Sequence, residues 1–192
     1  MALTSKQRTL FQNIACALST WTMVEIGLET VFGNIADIPN RRKAHAMFDA
    51  IISFETRLAI VNRLMTLEQV DEVEAEMWNR MAARLKKFYG KRHELAHFTL
   101  GRDNSGDPDV SPFTTLDKWM NRKTNHLSLD QVKERAQKFM ELQQGLNWFA
   151  FCALERRLPK GHALPLEEPP LIAQLRELAI QNLAKQKPPP QS

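Results

Sequence analysis

Apolar residues recur at alternating steps of three and four along most of this chain, and that spacing commits it to helices packed against one another. The first stripe is Ile14, Leu18, Trp21, Glu25, Leu28 and Phe32, on a helix that Thr4 and Ser5 can cap and that Gly33 and Pro39 end. A second stretch, 41–65, places Ala44, Met47, Phe48, Ile51, Phe54, Leu58, Val61 and Met65 on one face, with a joint at Ser53. A third begins near Leu67 and carries Val70, Val73, Met77, Met81, Leu85 and Phe88, and Gly90 interrupts it, so that the motif either opens a short new helix or rides on a kinked continuation. Ser128 and Gln131 form a capping box, S-x-x-Q, that opens a fourth helix with the stripe Val132, Ala136, Phe139, Leu142, Leu146, Phe149 and Ala153.

Between the third and fourth helices, residues 99–127 lose the period, beginning with a polar loop from Gly101 to Pro108. Period-two alternation is not convincing anywhere, so no strand is expected. A weak helix over about 170–184 precedes the proline-rich end, Lys187 to Ser192, whose composition favours disorder. The expectation is an all-α bundle of four to five helices with an irregular insertion before the last long helix. Residues 1–158 would form the bundle and 159–192 a C-terminal extension.

Seven glycines in 192 residues agree with that helical reading. A net charge of +4 and a pI of about 9.2 permit a polyanionic partner without requiring one. Cys16 and Cys152 both fall in apolar helical patterns, which implies two buried, reduced thiols and no disulfide framework. No uncharged apolar run approaches the ~18 residues that mark a membrane span. These features together imply a cytoplasmic protein with no membrane association.

One position breaks the first stripe. Glu25 stands where the pattern wants an apolar side chain, and a buried carboxylate needs a cation or a hydrogen-bond donor. Rotation of the helix could equally expose it.

Chemistry concentrates at residues 92–97, Arg-His-Glu-Leu-Ala-His. From His93 the segment is H-E-x-x-H. On a helix, His93 and His97 lie one turn apart and can reach one tetrahedral metal, with Glu94 activating a bound water. A catalytic zinc needs a third protein ligand. The extended motif fails, because Leu100 stands where its glycine belongs and Asp103 where its third histidine belongs. Glu134 is the nearest downstream glutamate. No metal and no cofactor are therefore expected, and a zinc peptidase is the weakest of the alternatives.

From Arg92 the same letters supply the parts for cutting RNA without metal. Histidine, with a reference pKa of ~6.5, can take the 2′-hydroxyl proton or protonate the leaving 5′-oxygen. Arginine grips phosphate oxygens with a planar, permanently charged fork. Along a helix, a step of five residues turns His97 about 140° from Arg92 and raises it ~7.5 Å. That offset is awkward within one chain and fits better a composite site at a two-fold homodimer interface.

Lys91-Arg-His-Glu-Leu-Ala-His-Phe98 resembles the signature of HEPN domains, in which Arg is followed by Asn, Asp or His, and three residues later by the motif histidine. Ser53-Phe-Glu-Thr-Arg-Leu-Ala-Ile-Val-Asn-Arg-Leu64 also looks like the helix that precedes this motif in many such proteins. The resemblance covers about residues 5–157. It implies a HEPN-like helical bundle that dimerises through its motif helices and, in active members, metal-independent RNA cleavage leaving a cyclic phosphate. On that basis Arg92 stabilises phosphate, His97 acts as acid or base, His93 orients the site, and Glu25 supports Arg92. A toxin or stress and defence role, with an antitoxin or regulatory partner, follows from the same resemblance.

One departure bears on regulation: Thr99 occupies the position where many HEPN toxins carry a tyrosine that a partner enzyme can modify. The alternative is a non-catalytic dimeric interaction or nucleic-acid-binding module, with Arg92 a paired interface residue and His97 a capping or interface one. His45, His126 and His162 read as surface residues. The segment Trp119 to Lys123 interleaves an aromatic with basic residues, either as an RNA-stacking surface or as a pin holding the insertion to the bundle.

Overall fold

The computed structural model describes residues 4–68, 70–102, 108–112, 127–158 and 167–186. The fold is an all-α helical bundle. Its described helices are α1 (Ser5–Ile35), α2 (Arg41–Asp49), α3 (Phe54–Leu67), α4 (Glu72–Ala96), α5 (Leu129–Glu155) and α6 (Pro170–Gln186). Two short strands, β1 (Phe98–Arg102) and β2 (Pro108–Pro112), follow α4 and pair antiparallel with Phe98 opposite Pro112. They occupy part of the stretch read as irregular. Five residues are too few for alternation to register in the sequence, and the pairing of two backbones, not a side-chain pattern, defines them.

The caps are those the residue types dictate. Thr4 and Gln7 exchange hydrogen bonds of 3.0 and 3.2 Å at the start of α1, and Ser128 and Gln131 do the same at 2.9 and 3.3 Å before α5. Asn40 accepts from the amides of Arg42 and Lys43 at the start of α2, and Ser53 from that of Thr56 at the start of α3. The expected second helix is thus two helices, divided at the joint that Ser53 marks.

Gly33 does not end α1. The helix runs on to Ile35, Asp37 takes the left-handed conformation with φ 53°, and the Ile38 amide returns to the Gly33 carbonyl at 3.0 Å, a Schellman closure. Gly33 serves packing instead, because a Cβ there would lie 3.1 Å from the Cβ of Ala44.

Burial also corrects the first stripe. Leu10, Ile14, Ala17, Trp21, Val24, Leu28, Val31 and Ile35 are the buried residues of α1 at strict four-three spacing. Leu18 and Glu25 lie beside this seam, half-buried. Small Ala17 and Val24 carried less weight in the sequence pattern than Leu18, so the apparent stripe drifted by one position. Met47, expected inside, is 55% exposed.

The chain divides into two compact units, Met1–Met23 with Lys87–Met140 and Val24–Lys86 with Glu141–Ser192. Helices α1, α4 and α5 each contribute residues to both. The first unit centres on aromatics: Trp21 meets Phe139 edge-on at 5.1 Å and Tyr89 at 6.1 Å, and Phe88 meets Phe139 at 6.1 Å.

In the second unit Trp78 packs edge-on against Phe149 at 5.1 Å and donates its indole N–H to Asn62 at 2.9 Å, so its one polar atom is satisfied. Arg157 ties the end of α1, donating to the Ile35 carbonyl at 2.6 Å while pairing with Asp37 at 2.6 Å and Glu68 at 3.2 Å. Helix α6 belongs to this unit, with Leu171, Ile172, Leu175 and Ala179 buried.

Among the described residues α1 alone passes, by length and composition, for a membrane-crossing helix, with an 18-residue window of mean hydropathy 1.2. A core helix of a folded protein and a signal sequence near the N-terminus meet the same test, and 39% of that window is buried.

Candidate functional site

The motif rides on the last turn of α4. Gly90 does not break the helix, which continues to Ala96, and the His97 amide still reaches the His93 carbonyl at 3.0 Å. Four-residue spacing then forms a ladder on one face: Tyr89 meets His93 edge-on at 4.5 Å, and the rings of His93 and His97 stack at 5.8 Å, 13° from parallel. Both histidines are exposed, while Leu95 between them is buried and anchors the turn. Partial desolvation of the His93 ring, then the positive charges of Arg92 and His97, hold its pKa below the usual histidine value.

Arg92 occupies another side of the helix. It is half-buried, and its Nε is buried with no acceptor among the described residues. An orphaned guanidinium N–H is costly, so this arginine has donor capacity that the described fold leaves unused.

Glu94 is committed elsewhere. Its carboxylate sits between Lys91 Nζ at 3.0 Å and Arg135 Nη2 at 2.7 Å, and Arg135 also donates to the Lys91 carbonyl at 3.2 Å. This clamp fastens the end of α4 to the start of α5 within the first unit. It removes Glu94 from the role of water-activating base. Among the described residues, one group offers three potential ligand atoms within 4.8 Å of one another: Glu29, His45 and Asp49. His93 and His97 belong to no such group among the described residues. Glu134 is exposed on α5.

Glu25 finds the cation its position called for in Arg57, whose Nη1 lies 3.7 Å away. Arg57 also pairs with Asp49 at 3.4 Å, donates to the Ile51 carbonyl at 2.7 Å and lies over the Phe48 ring at 5.0 Å. Glu25 and this network belong to the second unit and Arg92 to the first.

His45 was read as a plain surface residue. It is exposed, yet it bridges α1 and α2, with Nδ1 3.0 Å from Glu29 and Nε2 3.2 Å from Asp49. The hydrogen bond and charge of Glu29, then the charge of Asp49, raise its pKa above the usual value. The four-residue step from His45 to Asp49 was visible in the sequence; Glu29, on another helix, was not.

The thiols differ from expectation as well. Cys16 is exposed, and Cys152 is half-buried, with burial foremost and the charge of Glu74 next pushing its pKa to about 11. Thr99 and Leu100 lie in β1, opposite Ser111 and Val110. Asp103, His126, His162 and the Trp119 to Lys123 segment lie outside the described residues.

No protein-family model, curated protein or solved structure gives a significant match to the chain.

Proposed function

We propose that the protein is a metal-independent endoribonuclease of HEPN type whose site is the end of α4. The observation that carries this is the stacked, exposed pair His93 and His97 beside Arg92, which puts two titratable imidazoles and one permanent cation within two helical turns. His93, held toward its neutral form, takes the proton of the 2′-hydroxyl. The 2′-oxygen attacks phosphorus and the bond to the 5′-oxygen breaks, while imidazolium His97 protonates that leaving oxygen. Arg92 offsets the charge that builds on the non-bridging oxygens with its permanent guanidinium charge. The products are a 2′,3′-cyclic phosphate and a 5′-hydroxyl.

Because Arg92 lies about 140° around the helix from His97, a two-fold pairing of α4 ends that sets Arg92 of one copy against the histidines of another completes the site best. The protein would then act as a cytoplasmic homodimer on RNA, in a toxin or stress and defence setting with a restraining partner protein.

The decisive experiment incubates mixed RNA with the full chain in EDTA, comparing wild type with Arg92→Ala, His93→Ala and His97→Ala. Cleavage by wild type should fall at least a hundredfold in all three variants, the usual size of a lost acid–base or charge-stabilising group. Equal cleavage by all four proteins would mean a contaminant. No cleavage by any would favour a second reading, a non-catalytic dimeric module, in which the half-burial of Arg92 marks it as a structural interface residue.

A further inference from the structure

A groove of about 380 Å³ opens in the first unit along α4 and α5, one face away from the histidine ladder. Lys87 and Lys91 of α4 and Arg135 and Lys138 of α5 line it together with Phe88 and Glu134. Lys91 and Arg135 share Glu94, so its walls hold four cations against two carboxylates and remain cationic. Lys87 and Lys91 are one helical turn, about 6 Å, apart along α4, so each can meet a different phosphate of one strand. Phe88, beside them on α4, is half-buried, with Lys87 Nζ 6.0 Å from its ring centroid. A row of cations beside an aromatic ring in the same groove is the combination that holds single-stranded nucleic acid: charge tracks the backbone and the ring stacks a base, neither reading sequence. An acidic peptide would use the charges and leave Phe88 idle.

We propose that this groove binds the backbone of single-stranded RNA and delivers the strand to the motif. Lys91 is the immediate neighbour of Arg92, so a strand leaving the groove across the exposed face of α4 meets His97 and His93. The inference rests on the ribonuclease reading for its purpose, and the binding itself can be tested apart from cleavage.

The probe is a fluorescent 2′-O-methyl oligouridine, which lacks the attacking hydroxyl and cannot be cut, titrated with the full chain by anisotropy across a salt series in EDTA. Lys87→Glu with Lys138→Glu should weaken binding at least tenfold near 0.1 M salt and make the slope of log affinity against log salt shallower by about 1.4, some 0.7 for each lost phosphate contact on a single strand. Lys87→Arg with Lys138→Arg should keep wild-type binding, and Phe88→Leu, which preserves an apolar filler, should lose about tenfold with the slope unchanged. Unchanged affinity and slope in the charge-reversed protein, verified as folded by circular dichroism, would overturn the groove. So would displacement of the probe by polyglutamate as readily as by unlabelled oligouridine. Cleavage that survives charge reversal with binding intact would sink the groove and spare the ribonuclease; tight groove binding with no cleavage of natural RNA would do the reverse.

Discussion

Two glycines on long helices should respond oppositely to the same methyl group. Gly90 and Gly27 both lie inside helices, where replacing glycine by alanine gains about 1 kcal/mol of intrinsic propensity. At Gly90 an added Cβ meets nothing within 4 Å, so that gain should be kept nearly whole. At Gly27 the new Cβ would stand 3.0 Å from Leu146 Cβ and 3.4 Å from its Cδ1. Leu146 Cβ is carried rigidly by the backbone of α5 and cannot swing aside, so relief requires the two helices to part by several tenths of an ångström. Overpacking of that kind costs about 1–3 kcal/mol, which exceeds the propensity gain. Gly90→Ala should therefore raise the melting temperature by about 2–4 °C and Gly27→Ala should lower it by a similar amount, using the size scaling for chains of this length. Thermal unfolding followed by circular dichroism measures both shifts, and urea titration, with the slope on denaturant checked for constancy, gives the matching free energies. If Gly27→Ala stabilises as much as Gly90→Ala, the close approach of α1 to α5 at Leu146 is wrong.

Two further outcomes accompany the cleavage and groove experiments. His45 has a folded pKa raised by Glu29 and Asp49, so its contribution is fully present below the unfolded value near ~6.5 and is lost as pH rises through the folded one. Stability of wild type relative to His45→Gln should thus decline between pH 6 and pH 8.5 in paired urea titrations, and a difference that stays constant would remove the bridge. Ser128→Ala breaks one arm of the reciprocal cap on α5 and should cost about 1 kcal/mol, seen as a melting temperature lower by about 2–4 °C; no change would mean the cap is replaced by water.

The most legible features were those whose physics is local. Ser128 and Gln131 announced their cap because both bonds close within four residues, and Ser53 marked the joint between α2 and α3 for the same reason. The motif's one-turn histidine spacing likewise translated directly into a stacked pair. The fourth-helix stripe of Val132, Phe139, Leu142, Leu146, Phe149 and Ala153 is buried as expected, whereas the apolar pattern misplaced parts of α1, where the packing of the rest of the chain decides the buried side. For Glu25 the pattern left open burial with a cation or exposure by rotation; burial follows the seam through Ala17 and Val24 and leaves Glu25 half-buried beside it with Arg57. Gly33 looked like a stop signal and is a packing site for Ala44.

The sequence by itself determined the all-helical class, most helix starts and the chemistry available at residues 92–97, since propensity, capping and four-residue spacing act within a turn or two of the chain. Tertiary structure alone decided what those groups can do. Glu94 is drawn off into a clamp with Arg135, forty-one positions away, Arg92 turns its Nε inward without a partner, and lysines from two helices converge on one groove. Such pairings arise from which helices pack together, and distance along the chain carries no record of that.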